Sequence, residues 1–235
     1  MTSRYPGDEP RSPAETITAA ALLLDLDGTL VDTTAAVEAS WRAMATRLQV
    51  PWESFLPYLH GIPAEQVLAS VVPTLSGSDR ARLTAEILAD QADPQLPVTA
   101  LPGAMALTER LTDISWAIVT SGDHRLATAS LEKAGLPVPK VLITADDVAV
   151  GKPNPEPFLR AAELLHVHPR SCAVIEDSPA GIASARAAGA TVIAVTTTHP
   201  RHELAADWVV SDLAAVAVGR AAGGLVLTLT QEWQP

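Results

Sequence analysis

The chain of 235 residues is 48% hydrophobic, with a formal net charge of −11 from 27 Asp and Glu against 16 Lys and Arg. This length allows one large domain or a domain with a substantial insert, and the apolar share excludes a disordered chain. The acid excess argues against nucleic-acid binding, which needs clustered Lys and Arg, and no apolar run approaches the ~18 residues of a membrane span. A lone Cys172 forms no internal disulfide framework, which suits a reducing compartment. The opening residues lack a basic-then-apolar leader pattern, so the expected location is cytoplasmic.

Residues 1–15 are polar, contain Pro6, Pro10 and Pro13, and read as a mobile tail. The run Ala20-Ala21-Leu22-Leu23-Leu24-Asp25 is apolar without alternation, as in a strand buried on both faces of a parallel sheet. From Thr33 to about Ala100 the periodicity is helical. Val37, Trp41, Met44 and Leu48 form one stripe, Pro63 starts a helix bearing Val67 and Leu68, and Ser78 caps one bearing Leu83, Ile87 and Leu88. Further buried strands are predicted at Trp116–Thr120, Val141–Thr144, Cys172–Ile175 and Thr191–Val195, with Trp208–Val210 as a sixth.

Helices separate these strands. One opens at Pro102-Gly103, one runs from an Asp123 cap to Gly135, one begins at Pro155 and carries Leu159, Ala162 and Leu165, and one follows Ser178-Pro179 to Gly189. The partly alternating 225–230 reads as an added edge strand. The alternation gives a Rossmann-like, doubly wound α/β sheet built from residues 16–32 and 101–235, with a helical insert over 33–100.

In such sheets ligands bind beyond the carboxyl ends of the strands. The residues there are Asp25-Leu26-Asp27-Gly28-Thr29, Thr120-Ser121-Gly122, Lys152-Pro153 and Glu176-Asp177-Ser178. Four carboxylates brought to one rim would repel unless a divalent cation lies among them, and an all-oxygen donor set suits Mg2+. A phosphate is then the natural guest, held by the cation, Lys152 and the hydroxyl or amide donors. The remaining carboxylates supply a nucleophile and a general acid/base. Asp32 reads as a cap for the following helix, Cys172 as structural, and His124, His166, His168, His199 and His202 as surface residues.

Asp25-Leu26-Asp27-Gly28-Thr29-Leu30-Val31-Asp32 resembles the opening motif of the haloacid dehalogenase superfamily of phosphohydrolases. Thr120-Ser121, Lys152-Pro153 and Glu176-Asp177-Ser178-Pro179-Ala180-Gly181 follow as its second, third and fourth motifs, over about Leu22 to Asp212. The resemblance implies that the insert is an α-helical cap. It implies that Asp25 attacks phosphorus, and that Asp27 protonates the leaving alkoxide and then activates water. Mg2+ would be held by Asp25, the Asp27 backbone carbonyl and Asp177, with Glu176 bound directly or through water. Thr120 and the Ser121 amide would hold phosphate oxygens, Lys152 would neutralise charge beside Asp25, and Gly28 would permit the turn between the aspartates.

The resemblance also separates sister reactions. Haloacid dehalogenases proper lack the second aspartate, which Asp27 supplies here. Phosphonate hydrolases use a cap lysine, and residues 33–100 contain none. A phosphomutase of the phosphoglucomutase type shares all four motifs but needs basic cap residues for a second phosphate. This chain has Val37 and Ala64 where such relatives carry histidine and arginine. His60-Gly61 resembles the cap motif of bacterial sugar phosphatases and of yeast glycerol- and deoxyglucose-phosphate phosphatases, with His60 as a substrate contact. The expected function is a phosphatase for a small phosphorylated sugar or polyol, with no nucleic-acid or membrane partner. The alternatives are a phosphomutase and a catalytically silent phosphate-binding protein.

Overall fold

The computed structural model describes residues 15–59, 62–93 and 96–230. In chain order come β1 (Glu15–Ala19), β2 (Ala21–Leu24), β3 (Val31–Asp32), α1 (Thr34–Leu48), α2 (Ala64–Val71), α3 (Gly77–Gln91), β4 (Thr99–Ala100) and α4 (Ala104–Glu109). Then follow β5 (Trp116–Val119), α5 (His124–Ala134), β6 (Val141–Ile143), α6 (Glu156–Leu164), β7 (Cys172–Glu176) and α7 (Pro179–Ala188). The chain closes with β8 (Thr191–Val195), β9 (Trp208–Val210), β10 (Val216–Ala221) and β11 (Gly224–Leu229).

Six strands form one sheet in the order β6-β5-β2-β7-β8-β9, and every neighbouring pair is parallel. The predicted α/β class is the observed one, with Trp208–Val210 as the sixth strand. The unbroken apolar runs are explained by burial on both faces. Alternate residues of β2 and β7 point to opposite sides: Leu22, Leu24, Ala173 and Ile175 enter one core, and Ala21, Leu23, Cys172 and Val174 the other. Helices α6 and α7 cover the second core through Phe158, Ala161, Ala162, Ile182 and Ala185. Leu159, expected on the inward stripe of α6, is exposed, because Pro157, Phe158, Ala161 and Ala162 form the buried face instead.

The first core is closed by α4, α5 and a separate antiparallel sheet of order β1-β11-β10. The expected edge strand over 225–230 is therefore corrected. β11 is the central strand of this second sheet, paired with β1 and β10, and Leu225, Leu227 and Leu229 are buried against the main sheet. Its alternation reflects one buried face. Glu15, placed in the tail by the sequence reading, begins β1; residues 1–14 lie outside the described residues.

Between β3 and β4, α1 to α3 and the loops joining them build a third core from Trp41, Met44, Phe55, Val67, Leu68, Leu83 and Ile87. The rings of Trp41 and Phe55 lie 5.2 Å apart at its centre. Ser76, not Ser78, caps α3: its hydroxyl accepts the Asp79 N–H at 3.1 Å, because the helix already starts at Gly77. The chain enters and leaves this region through the antiparallel pair Val31–Ala100 and Asp32–Thr99. Asp32 accepts the Thr34 N–H at 3.0 Å, but it stands one residue before the N-cap of α1, which is Thr33 and makes no side-chain cap bond, so the expected Asp32 cap is replaced by a local turn into the helix. Among the described residues no helix is long and apolar enough to cross a membrane.

Candidate active site

From the central β2 the chain adds β5 and β6 on one side, then crosses to add β7, β8 and β9 on the other. This reversal opens a crevice at the carboxyl ends of β2 and its neighbours. Asp25 follows β2, Thr120 follows β5, Glu176 ends β7 and Asp177 is next in the chain. Beyond Asp25 the backbone turns back at once. Leu26 O accepts the N–H groups of Leu30 and Val31, and Gly28 N donates to Val31 O at 2.8 Å. Gly28 sits at φ +88°, and a Cβ there would fall 2.2 Å from Asp177 Oδ2. Only glycine combines that conformation with so close an approach of the carboxylate.

Lys152, from the loop between β6 and α6, is 2% exposed. Its Nζ donates to Asp25 Oδ1 at 2.6 Å, to Glu176 Oε1 at 2.7 Å and to the Val119 carbonyl at 2.9 Å. An ammonium has three donors, and all are used. Glu176 is saturated on its other oxygen, where Oε2 accepts from the N–H groups of Asp177 and Ser178 and from the Ser178 hydroxyl, each at 2.9 Å. Its carboxylate lies against the first turn of α7, where a Cβ on Gly181 would fall 1.6 Å from Oε1. Gly181 closes the motif Glu176-Asp177-Ser178-Pro179-Ala180-Gly181, and its lack of a side chain makes room for the Glu176 carboxylate.

Oxygens of Asp25, Glu176 and Asp177 lie within 4.8 Å of one another. Among the described residues three buried carboxylates thus face a single ammonium, and Asp25 Oδ2 has no hydrogen-bond partner. Burial pushes the Asp25 carboxyl up to about 7, against the opposing pull of Lys152. Asp177 is raised well above the usual carboxylate range, by burial first and then by Asp25 and Glu176. Burial depresses the Lys152 ammonium, but Asp25 and Glu176 outweigh it and leave its pKa raised. An excess of buried oxygen anions with an unpartnered acceptor is the donor chemistry of a hard divalent cation, so these residues fit Mg2+.

Asp27 stands across the rim. Thr33 Oγ1 donates to its Oδ1 at 3.1 Å and Thr120 Oγ1 to its Oδ2 at 3.2 Å. The single Thr120 proton is therefore directed at Asp27, while its oxygen accepts the Gly122 N–H at 3.1 Å. Among the described residues the Ser121 hydroxyl oxygen is buried without a partner, and Ser121 lines the same crevice as Asp25 and Asp27. The helical side of that crevice includes Val37, Trp41, Ile62, Ala64, Leu88 and Gln91. His60 lies outside the described residues.

Sequence reasoning missed Thr33, Gln91 and Thr198. Thr198 Oγ1 donates to Asp177 Oδ2, and Thr197 Oγ1 to the Gly28 carbonyl. The carboxyl-end rule applied to β8 would have found this pair. His199, read as a surface residue, is half-buried with Nδ1 2.9 Å from Thr198 Oγ1. His168 accepts the Arg170 N–H at 3.1 Å, a local cap. Cys172 is buried within β7 and takes no part in the site.

Residues 19–189 match the haloacid dehalogenase-like hydrolase family. The chain is 40% identical over 211 residues to hexitol phosphatase A of Escherichia coli, covering 87% of this chain and 96% of that one. It is 34% identical over 219 residues to 2-deoxyglucose-6-phosphate phosphatase 2 of Saccharomyces cerevisiae, covering 83% and 89% of the two chains. Among solved structures, a hydrolase from Pseudomonas syringae superposes with a TM-score of 0.74 at 28% identity, over 83% of this chain and 94% of that one. The motif order, the position of the carboxylates at the sheet reversal and these matches agree: the chain belongs to the haloacid dehalogenase-like hydrolases.

Proposed function

We propose that the chain is a Mg2+-dependent phosphatase that hydrolyses small sugar or polyol monophosphates through an aspartyl-phosphate on Asp25. The observation that carries this reading is the buried trio Asp25, Glu176 and Asp177 around Lys152, with Asp25 Oδ2 unpartnered. Relatives that are a hexitol phosphatase and a 2-deoxyglucose-6-phosphate phosphatase support the substrate class. Asp25, Asp177 and the Asp27 carbonyl would hold Mg2+, which when bound neutralises charge on the carboxylates and on the phosphoryl oxygens. Glu176, with both oxygens occupied by protein donors, would orient Lys152 and reach the cation only through water.

In the first half-reaction an Asp25 carboxylate oxygen bonds to phosphorus as the ester P–O bond breaks. Asp27 gives its proton to the departing alkoxide. In the second, Asp27 takes a proton from water, whose oxygen bonds to phosphorus as the Asp25–phosphorus bond breaks, releasing phosphate. Thr33 and Thr120 hold the Asp27 carboxyl in one orientation for both transfers. Lys152 fixes Asp25, and Ser121 would bind a phosphoryl oxygen. Residues 33–100 would serve as a cap over a core formed by 16–32 and 101–235, with the β3–β4 pair as the connection. Pro63 already lies against the Lys152 loop, 3.5 Å from where a Cβ on Gly151 would stand.

The described crevice lining holds no Lys or Arg, and Val37 and Ala64 both belong to it. A second phosphate would find no countercharge there, which disfavours the phosphomutase alternative. The test is release of phosphate from p-nitrophenyl phosphate with and without EDTA, in the native chain and in Asp25→Asn. Activity that survives both chelation and the substitution would overturn the reading, and absence of turnover across a broad panel of esters would favour the silent alternative.

A further inference from the structure

We infer that Gln91 is a specificity-determining residue whose carbonyl oxygen accepts a hydrogen bond from a hydroxyl of the leaving group, so that the chain selects esters of uncharged, hydroxylated alcohols. The inference rests on the phosphatase reading and adds to it which chemical feature of the substrate is read. Gln91 ends α3, is 8% exposed and lines the crevice that holds Asp25 and Asp27. Its surroundings on the helical side are apolar, from Val37, Trp41, Ile62 and Leu88. Of the other neutral polar residues in the lining, Thr33 and Thr120 already donate to Asp27, and Ser121 is assigned above to a phosphoryl oxygen.

The orientation of the amide follows from its neighbour. Ser40 Oγ donates to the Val37 carbonyl at 2.9 Å, which uses the only proton a serine hydroxyl has. Ser40 therefore accepts from its second partner, and that partner is Gln91 Nε2 at 3.1 Å. With Nε2 turned to α1, the amide presents Oε1 on its other side, and no described residue donates to it. A rotated amide would set two acceptors against each other at Ser40, so the chain of bonds fixes which end of Gln91 is offered. An amide oxygen in an apolar lining binds an O–H donor and disfavours a carboxylate or a second phosphate, which bring only acceptors. A site built to pair a substrate hydroxyl discriminates against esters lacking it, because its own acceptor is then left buried and unpaired.

The test compares kcat/KM for sorbitol 6-phosphate with that for p-nitrophenyl phosphate, whose leaving group brings no hydroxyl donor. In Gln91→Leu the ratio of the two is expected to fall about tenfold or more. Ser40→Ala releases the amide to rotate and is expected to lower the ratio part of the way; it also serves if Gln91→Leu fails to fold. Wild-type turnover with a ratio unchanged in both variants overturns the inference alone, as does an equal fall for both esters. A wild-type chain that turns over neither these two nor any other ester of a broad panel overturns the phosphatase reading and this inference with it.

Discussion

Lys152→Met keeps the approximate length of the side chain and removes its charge, leaving Asp25 Oδ1, Glu176 Oε1 and the Val119 carbonyl without their common donor. Removing one partner of a buried, hydrogen-bonded ion pair destabilises by about 3–5 kcal/mol, because the surviving charges stay out of water. The pH dependence has a definite sign. Asp25 is raised in the folded state from 3.8 to about 7, so the metal-free protein loses stability as pH rises across that interval and the loss levels off above it. Lys152 opposes that rise. Without it the folded-state value moves higher, and the loss continues past neutrality at up to about 1.4 kcal/mol per pH unit. The deficit of the variant should therefore widen with pH. Urea unfolding followed by circular dichroism, in EDTA at about pH 6.5 and about pH 8.5, measures it directly. A deficit below about 1 kcal/mol, or one that narrows as pH rises, would refute the reasoning.

Two further substitutions probe the supports of the site. Gly181→Ala places a methyl on the Glu176 carboxylate, so the glutamate must move and take Lys152 with it. A loss of about 1–3 kcal/mol by urea unfolding is expected, together with a fall in phosphate release, and unchanged activity would speak against Glu176 as the anchor of Lys152. Thr198→Val removes a donor whose hydrogen bond lowers the Asp177 pKa, so protons compete better for that carboxylate. The Mg2+ concentration for half-maximal activity should rise about tenfold, with the gap closing as pH increases; an unshifted titration would separate Thr198 from cation binding.

Much of the site was legible because its chemistry sits at strand ends. Asp25, Thr120, Glu176 and Asp177 each follow or end an apolar run that burial on both sheet faces makes unmistakable, and β-sheet geometry then carries them to one rim. Lys152 was legible from the Lys152-Pro153 motif in the loop after β6. Gln91 and Thr33 were not legible. Each lies in a region whose pattern reports only helix or loop, and their relation to Asp27 and Ser40 depends on how α1 and α3 are set over the sheet.

Local pattern thus determined the parallel sheet, its alternating helices and the residues at its carboxyl ends, because hydrophobic periodicity and caps act over a few residues. Tertiary structure decided what those residues do to one another. It turned the Thr120 proton toward Asp27, tied both oxygens of Glu176 to protein donors, and left Asp25 Oδ2 unpartnered. It also made β11 the centre of a second sheet instead of an edge. The bonds from Thr120 to Asp27 and from Lys152 to Asp25 and Glu176 join residues tens of positions apart, and a hydrogen bond is settled by the position of its partner, which no local pattern encodes.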